Sequence, residues 1–100
     1  MNLVTASAGT LQVTGLDRLG ASNCDEFKRL VQPHLTENIR VVELDCTHLR
    51  FIDSDGLGTL ITIHKRLAGG AGRVRLRQPT PAVLSLLRLM RLDEVFEITL

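Results

Sequence analysis

The sequence predicts an α/β fold, with helices packed on a mixed β-sheet, on three observations. Two β-like segments, "LVTAS" and "TLQVT", flank Ala8-Gly9, a pair typical of a hairpin turn. Strand-like and helix-like segments then alternate through the second half of the chain, as they do in crossover connections between parallel strands. The segment 54–69 repeats apolar residues at helical spacing, which predicts the main helix.

The elements before that helix follow from local signals. Ser22 or Asn23 can cap a first helix, and Pro33 kinks or ends it. Its apolar stripe has helical spacing and consists of Phe27, Leu30, Val31 and Leu35. Residues 39–45, "IRVVELD", are short and mostly apolar, which predicts a strand covered on both faces. Residues 46–53 form a loop expected to enter the interior through Leu49, Phe51 and Ile52.

The second helix and the closing elements have equally local signals. The stripe expected against the sheet comprises Leu57, Leu60, Ile61, His64, Leu67 and Ala68, and the glycine-rich segment 69–72 ends the helix. The segment "RVRLR" alternates as a strand, and Thr80-Pro81 is typical of a helix start. The last helix has more apolar residues than one buried stripe needs. Either a second contact surface, such as a homodimer interface, or a broad packed face explains that surplus.

Composition limits the function. One hundred residues suit a single domain, 1–100. A net charge of +1 with three Phe and neither Trp nor Tyr gives no reason to expect direct nucleic-acid binding. No secretory signal or bilayer-length apolar segment is visible, so we expect a cytoplasmic protein without membrane insertion. Cys24 and Cys46 are then expected to be reduced thiols, and no spacing predicts a metal or cofactor.

The stretch "FIDSDGLGTL", residues 51–60, places Ser54 between two carboxylates at a helix start. As N-cap, Ser54 would accept a hydrogen bond from the N–H of Leu57. Two glycines leave the first turn open, and its amides would form a ready anion site. An ordinary capping serine is the alternative, although capping alone does not explain the flanking Asp53 and Asp55.

Enzyme motifs are missing around this serine. A nucleophile elbow requires glycine two residues before the serine, and this chain has Ile52 there. Neither a P-loop nor a dinucleotide-binding glycine pattern occurs. A phospho-acceptor site built on Asp45 and Asp53 would also need a pair of acidic residues early in the chain to hold Mg²⁺, and this sequence has no such pair at the end of its first strands. We therefore expect a binding protein with no catalytic residues.

The segment "LDCTHLRFIDSDGLGTL" resembles the signature of the STAS domain, the fold of bacterial anti-sigma factor antagonists. Its flanks, "VTGLDRLGASNCDEFKRL" and "RVRLRQPTPAVLSLLRLMRLDEVFEI", are similar to the first helix and the closing elements of that family. The resemblance covers roughly residues 10–98 and implies a single STAS-like domain. Asp55, Gly20 and Arg91 depart from the usual pattern.

The resemblance implies a phosphorylation switch. Ser54 matches the serine that a partner serine kinase, often itself the anti-sigma factor, phosphorylates, and Asp53 matches the acid before it. The unphosphorylated form would bind that anti-sigma factor and free the sigma factor, and a phosphatase acting on Ser54 would restore it. The expected partner surface comprises Asp53, Asp55, Gly56, Thr59 and Ile63, the last three because they lie off the apolar stripe. The alternative is a STAS subunit of a transport assembly, such as a phospholipid ABC transporter, or of a scaffold.

Overall fold

The computed structural model describes residues 3–100, so the first two positions of the predicted domain lie outside it. One sheet contains five strands: Leu3–Ser7 (β1), Thr10–Thr14 (β2), Val41–Asp45 (β4), Arg73–Arg77 (β6) and Glu97–Thr99 (β7). They lie in the order β1-β2-β4-β6-β7, with β1 antiparallel to β2 and all other pairs parallel. The prediction of a mixed sheet is confirmed.

Two further strands and three helices complete the fold. Arg18–Leu19 (β3) and Phe51–Ile52 (β5) form a separate parallel pair. The helices are Cys24–Val31 (α1), Ser54–Ala68 (α2) and Pro81–Leu89 (α3), and short 3₁₀ helices follow at Gln32–His34 and Leu92–Glu94. Since β3 precedes α1 and β5 precedes α2, pairing these strands brings the beginnings of the two helices together.

The N-terminal hairpin has the turn that its sequence indicates. Ala8 and Gly9 both have left-handed backbone angles, with φ of 52° and 82°, as a two-residue type I′ turn requires. The turn sets the register in which Leu3 faces Thr14 and Ser7 faces Thr10.

The sheet has one apolar face and one charged face. The helices cover the apolar face, which comprises Leu11, Val13, Val42, Leu44, Val74 and Leu76, all at most 1% exposed. On the opposite face a polar row crosses four strands through Gln12, Glu43, Arg75 and Glu97. Arg73 pairs with Glu97, and Arg77 with Asp45. The three arginines of β6, which are Arg73, Arg75 and Arg77, are therefore each paired with a carboxylate and form no unpaired basic patch.

Four expectations about burial were wrong. Phe51 is 55% exposed because β5 belongs to the small two-stranded pair and only Ile52 points inward. The strand at 39–45 was expected to be covered on both faces, but β4 alternates between buried and half-buried residues because the helices cover one face of the sheet.

In α3, Val83 and Leu87 are buried whereas Leu89 is 81% exposed, so a broad packed face does not explain its surplus of apolar residues. The fourth error concerns Ile63, a residue of the candidate site. It was expected to lie off the buried stripe of α2, but it is buried.

Candidate functional site

The first turn of α2 begins one residue earlier than predicted. Asp53, with extended backbone angles, is the N-cap, and its carboxylate Oδ1 accepts from the N–H of Gly56 at 3.0 Å. The N–H of Leu57 donates to the backbone carbonyl of Asp53, so the expected bond to the Ser54 hydroxyl is not made. Ser54 is the first helical residue, and its side chain is exposed. Asp53 therefore caps the helix, and the serine hydroxyl is free at the surface.

The second oxygen of the Asp53 carboxylate reaches another part of the chain. Its Oδ2 accepts from the N–H of Ala21 at 3.0 Å. That loop is held by Asn23, which accepts from the N–H of Gly20 and donates to the carbonyl of Arg18. One carboxylate thus joins the loop between β3 and α1 to the start of α2.

Gly20 makes this contact possible. A Cβ at this position would lie 2.5 Å from Oδ2 of Asp53, closer than any unstrained contact allows. Because the loop has glycine here, the carboxylate can lie directly over the backbone and reach the N–H of Ala21. The departure from the family pattern at Gly20 therefore lies beside the candidate switch.

The two amide contacts stabilise the charged form of Asp53. Hydrogen bonds from the N–H groups of Ala21 and Gly56 lower the pKa of its carboxyl below the ordinary value. The carboxylate thus already uses an amide that an anion at this helix end would bind. The Asp53 carboxylate therefore occupies part of the anion site that was expected at the helix start.

Lowering the pH is expected to remove the stability that the Asp53 carboxylate contributes. Because its folded-state pKa lies below the ordinary value of about 3.9, this contribution is complete above that value and is lost as the pH falls through the folded pKa. Replacement by Asn keeps an acceptor for Gly56 but turns an NH₂ group toward the N–H of Ala21. The stability difference between wild type and Asp53→Asn should therefore shrink as the pH falls from about 5 toward 2.

Urea unfolding across this pH range measures that difference. In NMR titrations, the amides of Ala21 and Gly56 should report a carboxyl midpoint below the ordinary value. Gly20→Ala is the control, because the added methyl displaces the carboxylate from Ala21 and should raise the midpoint. A wild-type midpoint at the ordinary value would contradict the proposed contacts.

Gly56 allows α2 to pack closely against β3. A Cβ here would lie 2.1 Å from the carbonyl oxygen of Leu19, so any side chain would overlap backbone. Gly58, in contrast, faces open space. Of the two glycines in the motif, only Gly56 is required for packing.

The buried side of α2 is wider than one stripe. Thr59 and Ile63 are only 3% and 5% exposed, whereas Ile61 and His64 are half-buried. The reason is that α2 packs against α1 as well as against the sheet, which extends the buried arc beyond the sheet-facing stripe. Gly56, Thr59 and Ile63 therefore present little side-chain surface, and Ser54 and Asp55 are the exposed residues of the candidate set.

The charge around Ser54 is negative. Within residues 3–100, neither Asp53 nor Asp55 makes an ion pair with a cationic side chain. The flanking carboxylates are balanced only by backbone amides and the partial positive charge of the helix end. A partner that docks here meets an anionic surface with one neutral hydroxyl in it.

Other candidate chemistry is weak in the part of the chain that the structure describes. No group of three or more His, Cys, Asp or Glu residues there could hold a metal ion. Burial raises the pKa of the Cys46 thiol to about 12, so this cysteine is an inert core residue. No helix among these residues is both long and apolar enough to cross a membrane.

Sequence reasoning missed the β3–β5 pair and the contact between Asp53 and Ala21. The strands are two residues long, too short for periodicity to reveal. One signal for this contact was Gly20, a small residue in the loop before α1. Nothing in the neighbouring sequence, however, shows that the carboxylate packed against it is that of Asp53, 33 positions later.

Comparisons with known proteins agree with the fold described above. A family model described as "Mlab, STAS domain" matches residues 4–99. A putative anti-sigma factor antagonist from Thermotoga maritima has a TM-score of 0.85 at 23% identity, covering 98% of this chain and 85% of that one. No curated protein sequence matches.

Three further solved structures contain the same fold. The anti-sigma factor antagonist SpoIIAA in its unphosphorylated form gives a TM-score of 0.77 at 15% identity, covering 99% of this chain and 87% of that one. The Bacillus SpoIIAA structure in the phosphorylated form gives 0.76 at 16% identity, with coverages of 100% and 92%. The murine anion transporter Slc26a9 gives 0.72 at 17% identity, over 90% of this chain but 15% of that one. The chain belongs to the STAS domain family, and its fold is that of solved anti-sigma factor antagonists.

Proposed function

We propose that this protein is an anti-sigma factor antagonist, a binding module without enzymatic activity that is switched by phosphorylation of Ser54. In the unphosphorylated form it binds an anti-sigma factor that is also a serine kinase, and so releases the sigma factor. The observation that carries the proposal is the exposed Ser54 hydroxyl in the first turn of α2, between two carboxylates. SpoIIAA, which has this fold, is described in phosphorylated and unphosphorylated forms.

The local contacts favour an outward direction for a phosphate on Ser54. The Asp53 carboxylate already accepts from the N–H of Gly56, so a phosphate on Ser54 would project outward. It would add about −1.5 to −2 charges at pH 7. At about 6 Å from a carboxylate, repulsion between unit charges is roughly 0.7 kcal/mol in water and nearer 3 at an effective dielectric of 20. In the free protein, water surrounds the site, so the repulsion has the smaller value and the phosphate is tolerated. In an interface from which water is excluded, the repulsion has the larger value.

The proposed roles of the site residues follow their positions. Asp53 and Asp55 supply the negative surroundings and belong to the partner surface with Ser54. Gly56 lets α2 approach β3, and Thr59 and Ile63 support the surface from below and line its edge against α1. A phosphatase acting on phosphorylated Ser54 would reset the switch, in a cytoplasmic signalling system that regulates transcription.

Incubation with a candidate anti-sigma factor kinase and ATP, followed by intact-mass analysis, tests the modification. We expect the mass of one phosphate, mapped to Ser54 and abolished in Ser54→Ala. Ser22→Ala is the matched control, because Ser22 is an exposed serine in the neighbouring loop. Phosphate mapped to Ser22, or no modification by any serine kinase that binds the protein, would refute the proposal.

A second candidate is a STAS subunit of a transport or scaffolding assembly. The observation that favours it is the shared fold with part of the anion transporter Slc26a9. In that case Ser54 is a contact residue that is not routinely modified. Stable co-purification with a transporter ATPase, unaffected by Ser54→Ala, would support this candidate over the switch.

A further inference from the structure

A groove of about 150 Å³ lies between α1 and α2, and Ser54 is not part of its lining. Its lining combines an apolar floor, two threonines, one glutamine and two cationic side chains: Lys28, Gln32, Leu35, Thr59, Thr62, Ile63 and Arg66. No carboxylate belongs to this set. The groove is therefore apolar at its base and positive at its rim.

Internal hydrogen bonds make the walls of the groove well defined. The hydroxyl of Thr59 donates to the carbonyl of Asp55 at 2.8 Å, and that of Thr62 donates to the carbonyl of Gly58 at 2.9 Å. Both hydroxyl protons are thus used within α2. A guanidinium nitrogen of Arg66 donates to the carbonyl of Leu35 at 3.1 Å, which ties α2 to the chain after α1.

The two cations at the rim remain available to a ligand. Arg66 has no carboxylate within ion-pair distance among residues 3–100. Lys28 has one such carboxylate, that of Asp25 at 3.8 Å, and the side chains of Lys28 and Asp25 are 41% and 78% exposed. A long, exposed pair of this kind contributes little, so a partner's carboxylate can replace it.

We propose that this groove binds one leucine-sized side chain of a partner protein, whose neighbouring carboxylate pairs with Lys28 and Arg66. A volume of about 150 Å³ is the size of a cavity that accepts benzene, so the groove has room for one aliphatic side chain. The positive rim selects an acidic neighbour by charge complementarity. This contact goes beyond the proposed switch, because it requires neither Ser54 nor its phosphorylation.

The test uses the full chain and a blocked Glu-Leu-Glu tripeptide, titrated by NMR. We expect binding in the millimolar range, with the largest amide shifts at Lys28, Thr59 and Ile63. Lys28→Glu should weaken it by about fivefold or more, whereas the matched control Lys65→Glu, an exposed lysine on α2 outside the lining, should change it less than about twofold. Thr62→Phe, which fills the groove from an exposed position, should abolish it.

Two other tripeptides test the proposed chemistry. Glu-Ala-Glu should bind more weakly because it leaves the groove empty, and Lys-Leu-Lys should not bind because the rim repels it. Equal shifts with all three peptides, or shifts located elsewhere on the surface, would overturn the proposal. Ser54→Asp should leave Glu-Leu-Glu binding within about twofold, because Ser54 does not line the groove and salt screens charges at the surface, so failure of the groove and failure of the switch are distinguishable.

Discussion

Replacement of Ser54 by Asp is expected to weaken binding to the proposed anti-sigma factor partner by about tenfold to a hundredfold, or roughly 1.4 to 3 kcal/mol. The new carboxylate would lie between Asp53 and Asp55, where the structure shows no cationic side chain paired with either within residues 3–100. Inside an interface from which water is excluded, repulsion between these charges reaches several times its value in water. Isothermal titration calorimetry with the purified partner measures the effect.

The matched control for this prediction is Ser54→Asn, which has nearly the same shape as Asp without its charge. The Asn and Ala variants should bind within about threefold of wild type, a difference typical of a lost surface contact. The penalty in the Asp variant should also decrease as salt is raised, since screening shortens the range of the repulsion. If the Asp and Asn variants bind equally, charge is not the origin of the switch.

Replacement of Gly56 by Ala is expected to cost about 3 kcal/mol of unfolding free energy. The new methyl would overlap the carbonyl group of Leu19, with its oxygen at 2.1 Å and its carbon at 2.7 Å. Backbone on both sides of the contact cannot rotate away as a flexible side chain can. The start of α2 must therefore move away from β3, and urea unfolding should detect the loss as a lower midpoint.

Gly58→Ala is the control within the same motif, because a Cβ there meets nothing within 4 Å. In an exposed helical position this substitution should stabilise the protein by about 0.5 to 1 kcal/mol. The two variants thus have opposite predicted signs, although each adds one methyl group two residues from the other. Equal stability of the two variants would show that α2 and β3 are not packed as described.

The Gly56 variant also tests how the switch depends on packing. If α2 moves from β3, the Asp53 carboxylate no longer aligns with both Gly56 and Ala21, and the surface around Ser54 changes. We therefore expect Gly56→Ala to weaken partner binding even at temperatures where it remains folded. The effect would come from geometry, since the substitution changes no charge.

The elements that local signals specify were predicted correctly from the sequence. The turn at Ala8-Gly9 needs two residues with positive φ, and the start of α3 needs only the Thr80-Pro81 pair. The strand "RVRLR" alternates with period two because one of its faces is buried. Each of these features depends on a few neighbouring residues, and the motif around Ser54 identified the family for the same reason.

Contacts between distant segments decided the rest, because periodicity along one element does not show what packs against it. Whether Ser54 or Asp53 caps α2 depended on the loop at Ala21, which is 32 residues from Asp53 and binds its carboxylate. The burial of Ile63 depended on α1, which covers a side of α2 that the sheet does not reach. Local sequence therefore placed the serine at the beginning of a helix, and packing across the fold left its hydroxyl free.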